Sequence, residues 1–293
     1  MAAKTKQTLF GLALLAPAVL LLALLFLRPM VDLVVTSLTN KNLLRPDRLN
    51  FIGLQNYGWM FSEPSFWAAI YKSLLFTLCV TVISIVISMG IALLMNFEFK
   101  VKRVLFALIL LPWVTSYMSS AFVFTLLYDY SYGIFNYLFS DVLGLMGVQN
   151  WLGSTSTAMG ATIAVAVWHF LPFSILVLTN ALKQVPAELN ESARIDGAGS
   201  FRIFTAITLP TIKPSLITLI IVRFAAAFKT FESIYLLTQG GPAEATTTLP
   251  MWYYQIGFQS FRGGKGAAIG VTLILTVLIA YFVLIKTFGE DAV

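Results

Sequence analysis

Apolar runs long enough to cross a membrane alternate with short polar stretches along the chain. They cover about 9–27, 73–94, 105–128, 159–182, 215–237 and 267–285. A helix rises about 1.5 Å per residue, so roughly 20 apolar residues cross about 30 Å of hydrocarbon. The pattern therefore predicts six spanning helices. The first run follows Lys4 and Lys6, which also suits a secretory leader. It is long enough to span, however, and Arg28-Pro29 ends it where a small-residue cleavage site would stand, so it reads as an uncleaved span. Pro112 and Pro172 fall inside spans three and four, where neighbouring helices re-satisfy the freed carbonyl. Segment 129–157 reads as a loop with an amphipathic piece near 134–145.

Composition agrees with the pattern. The chain is 58% hydrophobic and 11% charged, against about 25% charged in soluble domains. The reading is an all-α, polytopic membrane protein with one domain over 1–293. The net charge of +6 belongs to Lys and Arg flanking the spans, so it points to membrane orientation rather than nucleic acid. With the N-terminus inside, the inner segments hold 10 basic residues and the outer segments 7, and loop 129–157 has none. Both termini and the stretch 183–214 then face the cytoplasm. The single cysteine, Cys79, lies in an apolar run and forms no metal motif.

The stretch 183–214 is a polar interruption between two apolar runs. Pro186 and Glu188 suit a first helical turn. Glu188, Glu191, Ser192 and Ile195 share one helical face. Asp196-Gly197 stops that helix, since glycine accepts the left-handed conformation that closes helices. Ser200 caps a second short helix, which Leu209-Pro210 ends. A solvated loop and a docking element both fit these features.

Catalytic chemistry finds no foothold. Gly263-Gly-Lys-Gly266 lacks the glycine five positions before the Gly-Lys pair, and Gly266 replaces the required Ser or Thr, so it is not a phosphate loop. One histidine, His169, rules out a His-pair metal site. The chain reads as a non-catalytic subunit with no metal and no cofactor of its own. Ionisable residues inside a span are candidates for function. Arg223, Lys229 and Glu232 lie in span five, where Lys229 and Glu232 are spaced to pair across i, i+3.

The stretch Glu191-Ser-Ala193, Asp196-Gly-Ala198 and Leu209-Pro210 closely resembles the EAA loop of permease subunits of bacterial binding-protein-dependent ABC importers. Ser192 replaces the family's middle Ala, a small-for-small change. Phe51-Ile-Gly-Leu-Gln-Asn-Tyr57 and Thr238-Gln-Gly-Gly-Pro242, with Thr246-Thr-Thr-Leu249 after it, resemble segments of the sugar-importer branch that includes the maltose and glycerol-phosphate permeases. The resemblance covers essentially the whole chain and implies the type I importer permease fold in a bacterial inner membrane. It implies an ATPase-coupling role for Glu191, Ser192, Ala193, Asp196, Gly197 and Ala198. Partners would be a second permease, two ATPase subunits that bind ATP and Mg, and a soluble binding protein delivering a carbohydrate. The family's sugar-contact positions fall on Trp113 and Tyr117 in span three, His169, Phe170 and Phe173 in span four, and Arg223, Ala226 and Ala227 in span five.

Alternatives stay open at this level. The aromatic residues also suit interhelical packing, and the site can lie in the partner permease. Arg223 makes an anionic sugar, sugar phosphate or polyol-type solute a competing substrate class. An ion-coupled secondary transporter would show internal repeats, and none is evident. An exporter or channel component is the remaining rival.

Overall fold

The computed structural model describes residues 14–45, 47 and 49–288. Lys4, Lys6 and the start of the first expected span lie outside them. The described chain is helical, apart from an isolated bridge between Thr39 and Phe51. It divides into two compact units. One holds the residues through Phe66 together with Tyr253–Ile274, and the other holds Trp67–Trp252 and the residues from Leu275.

In the first unit, helix α1 spans Leu14–Ser37 and exposes its leucines outward, as a lipid-facing helix does. The expected stop at Arg28-Pro29 is corrected. A π-helical turn at Ala23–Leu27 shifts the bonding so that Arg28 N–H reaches the Ala23 carbonyl, and the helix passes Pro29. The real end of α1 is held by helix α2, Gln55–Ser62. Buried Asn56 donates through Nδ2 to the carbonyls of Ser37 and Thr39, both at 2.8 Å. The Tyr57 hydroxyl lies 2.7 Å from Ser37 Oγ. The Phe51–Tyr57 motif is thus a clasp that satisfies the open carbonyls of a helix terminus. Helix α11, Gly263–Phe288, begins against the same place. Its Gly264 N–H donates to the Lys41 carbonyl at 2.8 Å, and a Cβ on Gly264 would collide with the Thr39 carbonyl oxygen. Gly263-Gly-Lys-Gly266 is therefore a close-packing motif, and Lys265 sets its ammonium 3.8 Å from the Trp59 ring centroid.

The second unit is organised around helix α6, Ala158–Leu182. Sixteen of its 25 residues are buried, many of them Ala, Ser or Thr, so neighbouring helices approach closely. Further helices are α3, Pro64–Met95; α4, Lys102–Val114; α5, Tyr117–Leu127; α7, Ala187–Ile195; α8, Ser200–Phe228; α9, Glu232–Leu237; and α10, Leu249–Tyr254. Helix α6 packs against α4, α8 and α9. Ala92, Leu178, Ala181, Leu182, Ile212 and Leu219 form one apolar cluster on α3, α6 and α8. Ala121, Tyr128, Ala161, Val165 and Leu237 form another.

Two expected spans are corrected. Span three is not one helix: α4 and α5 meet at 104° across Thr115-Ser116. Pro112 removes a backbone donor, Thr115 and Ser116 are extended, and Ser116 Oγ then caps the new helix by accepting from Ser119 N–H at 3.1 Å. Span five begins earlier than expected and ends sooner. The helix starting at Ser200 does not stop at Leu209-Pro210. A π-helical turn at Phe204–Thr208 carries it past Pro210, and it runs on to Phe228. It breaks there, so Lys229 and Glu232 are not neighbours on one helix; both are exposed and they form no ion pair.

The loop after α9 is locked by its own hydroxyls. Thr246 Oγ1 donates to the Gly241 carbonyl at 2.8 Å and lies 2.6 Å from Thr238 Oγ1. Thr247 Oγ1 donates to the Gly240 carbonyl at 3.0 Å, and Leu249 N–H donates to buried Ser73 Oγ of α3 at 2.7 Å. The Thr238–Pro242 and Thr246–Leu249 motif thus ties this loop to α3.

Candidate functional sites

The break between α4 and α5 opens a cavity of about 320 Å³ inside the second unit. Its wall is built by Pro112, Trp113, Thr115 and Tyr117 from the break, by His169, Phe170 and Phe173 from α6, and by Val222 and Arg223 from α8. Six of the eight residues singled out from the sequence therefore face one space. Pro112 ends regular helix bonding, so its carbonyl accepts from Thr115 Oγ1 at 3.1 Å. Thr115 Oγ1 also accepts from Ser120 Oγ at 3.1 Å. Irregular backbone at this depth is tolerated where it lines a cavity.

Aromatic rings make most of the wall. Trp113 and Phe173 meet edge to face with centroids 6.2 Å apart. Tyr117 lies over His169, with centroids 4.2 Å apart and a 30° tilt. Arg223 is the permanent cation among the lining residues. Its Cζ sits 4.8 Å from the Phe170 ring centroid and 4.6 Å from that of Phe173. Its Nε donates to Ser174 Oγ at 2.9 Å, and Ser174 Oγ donates to the Phe170 carbonyl at 3.1 Å. Two buried polar atoms here have no hydrogen-bond partner, Arg223 Nη2 and His169 Nε2.

Ala226 and Ala227 do not line the cavity. They share the helix face of Val222 and Arg223 one turn on, but a methyl group falls short of the space that the long Arg223 side chain reaches. Pro112, Thr115 and Val222 line it without having been singled out. Thr115 becomes a wall residue only because the helix breaks beside it, and no spacing pattern marks that break.

The second site is helix α7. Pro186 precedes it in extended conformation, Glu188 occupies its first turn and Arg194 its last, which complements the helix dipole. Its end is a Schellman closure: Gly197 N–H donates to the Arg194 carbonyl at 3.0 Å and Ala198 N–H to the Ala193 carbonyl at 2.9 Å. Gly197 has φ +80°, so the expected stop at Asp196-Gly197 is observed. None of α7 is buried. Glu191, Ser192, Asp196 and Gly197 are exposed, while Ala193 and Ala198 are half-buried. Leu189, Ile195 and Phe201 stand 49%, 86% and 81% exposed among these polar residues. The Schellman closure makes this stretch an ordered helix rather than a slack loop.

A bundle of apolar helices with a cavity at a broken span and a capped helix presented outside it defines a multi-pass transport component of a membrane. Comparison with known proteins makes this specific. Residues 84–288 match the family described as binding-protein-dependent transport system inner membrane component. The sulfoquinovosyl glycerol transport system permease protein SmoG of Agrobacterium fabrum is 34% identical over 284 residues, covering 95% of this chain and 91% of that one. The trehalose/maltose transport system permease protein MalF of Thermococcus litoralis is 34% identical over 286 residues, covering 97% and 95%. A chain of a bacterial alginate ABC transporter, solved in complex with an alginate pentasaccharide-bound periplasmic protein, shares the fold with a TM-score of 0.84 at 20% identity, covering 100% of this chain and 98% of that one. The chain belongs to the family of binding-protein-dependent transport system inner membrane components.

Proposed function

We propose that this chain is the permease subunit of an ATP-driven carbohydrate importer. The single observation that carries the reading is the aromatic and arginine-lined cavity at the α4–α5 break, in a chain whose 34% identical relatives are named for sugar transport. Aromatic faces stack on the apolar faces of sugar rings, and hydroxyls take hydrogen bonds from the few polar groups of the wall.

In this reading the whole chain, 1–293, works as one permease domain and catalyses no reaction. It pairs with a second permease and with two ATPase subunits, which bind ATP and Mg, and receives its sugar from a soluble binding protein. Helix α7 couples to an ATPase subunit: Glu191, Ser192 and Asp196 offer polar contacts, Ala193 and Ala198 allow close approach, and Gly197 makes the turn. The basic residues beside the spans favour a cytoplasmic α7 and cytoplasmic termini. Closure of the ATPase pair draws the α7 helices together and exposes the cavity first to one side, then to the other.

The test is co-purification followed by transport. The chain should be recovered with a second permease and an ATPase dimer, and ATP hydrolysis in proteoliposomes should rise when sugar-loaded binding protein is added. Recovery of an active transporter as this chain alone, driven by an ion gradient, would overturn the reading.

A further inference from the structure

Arg223 is 7% exposed and lines the cavity, yet no carboxylate among the described residues forms an ion pair with it. Its contacts are otherwise well defined. Phe170 and Phe173 present rings at 4.8 and 4.6 Å from Cζ, and Ser174 takes the Nε proton at 2.9 Å. These contacts fix the guanidinium plane and occupy its Nε edge. They leave Nη2 without a partner. The carboxylate of Glu232 neither lines the cavity nor pairs with Arg223.

A buried cation without a counter-ion is costly, and ring faces offset only part of that cost. A neutral sugar hydroxyl would accept a proton from Nη2 and leave the charge uncompensated. An anionic oxygen pair would do both, in the plane where guanidinium binds bidentately. Resting on the proposed carbohydrate import, we infer that the sugar carries one negative charge, a carboxylate or a sulfonate, which docks on the Nη edge of Arg223. One permanent cation in the wall matches one negative charge, so a phosphate dianion is under-compensated there. The cavity, about 320 Å³, sits at the small end of the roughly 300–1,000 Å³ of small-molecule sites, which suits one or two sugar rings.

The experiment uses the complete transporter in proteoliposomes with its own binding protein. Matched mono- and disaccharides are offered as the neutral sugar, its uronate, its sulfonate and its phosphate, and ATP-dependent accumulation is measured. The wild-type transporter should accumulate the uronate or the sulfonate in preference to the neutral sugar and the phosphate, and these two arms separate the carboxylate from the sulfonate. Because the binding protein also selects, Arg223→Gln in the permease alone is the decisive arm. It should lower anionic-sugar uptake about tenfold or more, the worth of a lost charge-assisted bond. Arg223→Lys, which keeps the charge and loses the fork, should fall between the two and carries the test where the glutamine variant fails to assemble. Neutral-sugar or phosphate preference, or R223Q and R223K uptake equal to wild type, would overturn the anion inference while leaving carbohydrate import standing. Accumulation of no sugar in any form would overturn both.

Discussion

The Arg223 guanidinium donates through Nε to the Ser174 hydroxyl at 2.9 Å, across the α8–α6 contact. Ser174 is itself fixed by donating to the Phe170 carbonyl at 3.1 Å, so the hydroxyl orients the cation without carrying charge. Ser174→Ala should leave the packing intact, since the change removes one small polar atom, but free the guanidinium to rotate. Hydrogen bonds to charged groups are worth about 1.5–3 kcal/mol. Sugar uptake by the assembled transporter should therefore weaken about tenfold, mainly through KM, with unchanged amounts of assembled complex on gel filtration. Ser174→Thr, which keeps the hydroxyl, should recover most of the loss.

Gly197 closes α7 at φ +80° with open space around it, so its requirement is conformational rather than steric. An L-residue in that region costs about 1–2 kcal/mol. Gly197→Asn, which tolerates the left-handed region, should be mild. Gly197→Val should be worse, and Gly197→Pro worst, because proline also loses the bond to the Arg194 carbonyl. Membrane insertion should be normal in all three. The measurement is sugar-stimulated ATP hydrolysis of the full complex, expected to decline in that order. Ala193, half-buried on the same helix, should tolerate Ser and lose stimulation with Leu.

These two sites were legible in the sequence to different depths. Asp196-Gly197 announced a helix stop because left-handed closure is a local demand on one residue type. Trp113, Tyr117, His169, Phe170, Phe173 and Arg223 could be placed on three spans, and the folded helices turn all six to one cavity. Thr115 could not be placed there, because a proline inside an apolar run fits both a kinked and a broken helix. The choice depends on whether Ser116 caps a restart, which it does. Leu209-Pro210 misled in the opposite sense. Proline removes one donor, and a π-helical turn before it lets the helix continue. The Asn56 clasp was visible as a motif but not as a function, since its acceptors belong to another helix end.

Loop 129–157 hangs on Asn136, which is 6% exposed. Its Nδ2 donates to the carbonyls of Gln149 at 2.9 Å and Tyr130 at 3.1 Å, and its Oδ1 accepts from Gln149 N–H at 3.0 Å and Trp151 Nε1 at 2.9 Å. Asn136→Leu keeps the branched outline of the side chain but orphans every one of these groups, at about 1–3 kcal/mol per buried group left unsatisfied. The loop should open without unfolding the helices. Limited proteolysis should cut faster within 129–157, and Trp151 fluorescence should shift to the red.

The same loop begins at Asp129, whose carboxylate accepts from the Ser131 and Tyr132 backbone N–H groups at 2.8 and 3.1 Å. Those bonds hold its pKa below the usual aspartate value. A depressed folded pKa means the contribution is fully present above the unfolded value and is lost as pH falls through the folded one. Amide protection at Ser131 and Tyr132 should be flat from neutral pH down to about 5 and fall in more acid solution, below the ordinary carboxyl range. Asp129→Ala should remove that acid limb and lower protection at neutral pH toward the wild type's acid value.

Gly264 and Gly160 separate steric demand from helix propensity. Both are helical, but a Cβ on Gly264 would meet the Thr39 carbonyl oxygen and Asn56 Nδ2, whereas one on Gly160 meets nothing within 4 Å. Carbonyl and amide at this spot are already committed to ending α1, so they have no free direction in which to move. Gly160→Ala should be neutral or raise the melting temperature, since Gly in a helix costs about 0.5–1 kcal/mol relative to Ala. Gly264→Ala should lower it by several degrees and reduce the amount of protein recovered from membranes. Gly266 extends the comparison, since a Cβ there would run into the Gly257 backbone, so Gly266→Ala should also destabilise and Gly266→Val more so. Equal melting temperatures for the Gly264 and Gly160 variants would show that the α1 end and the α11 start are not packed as closely as described.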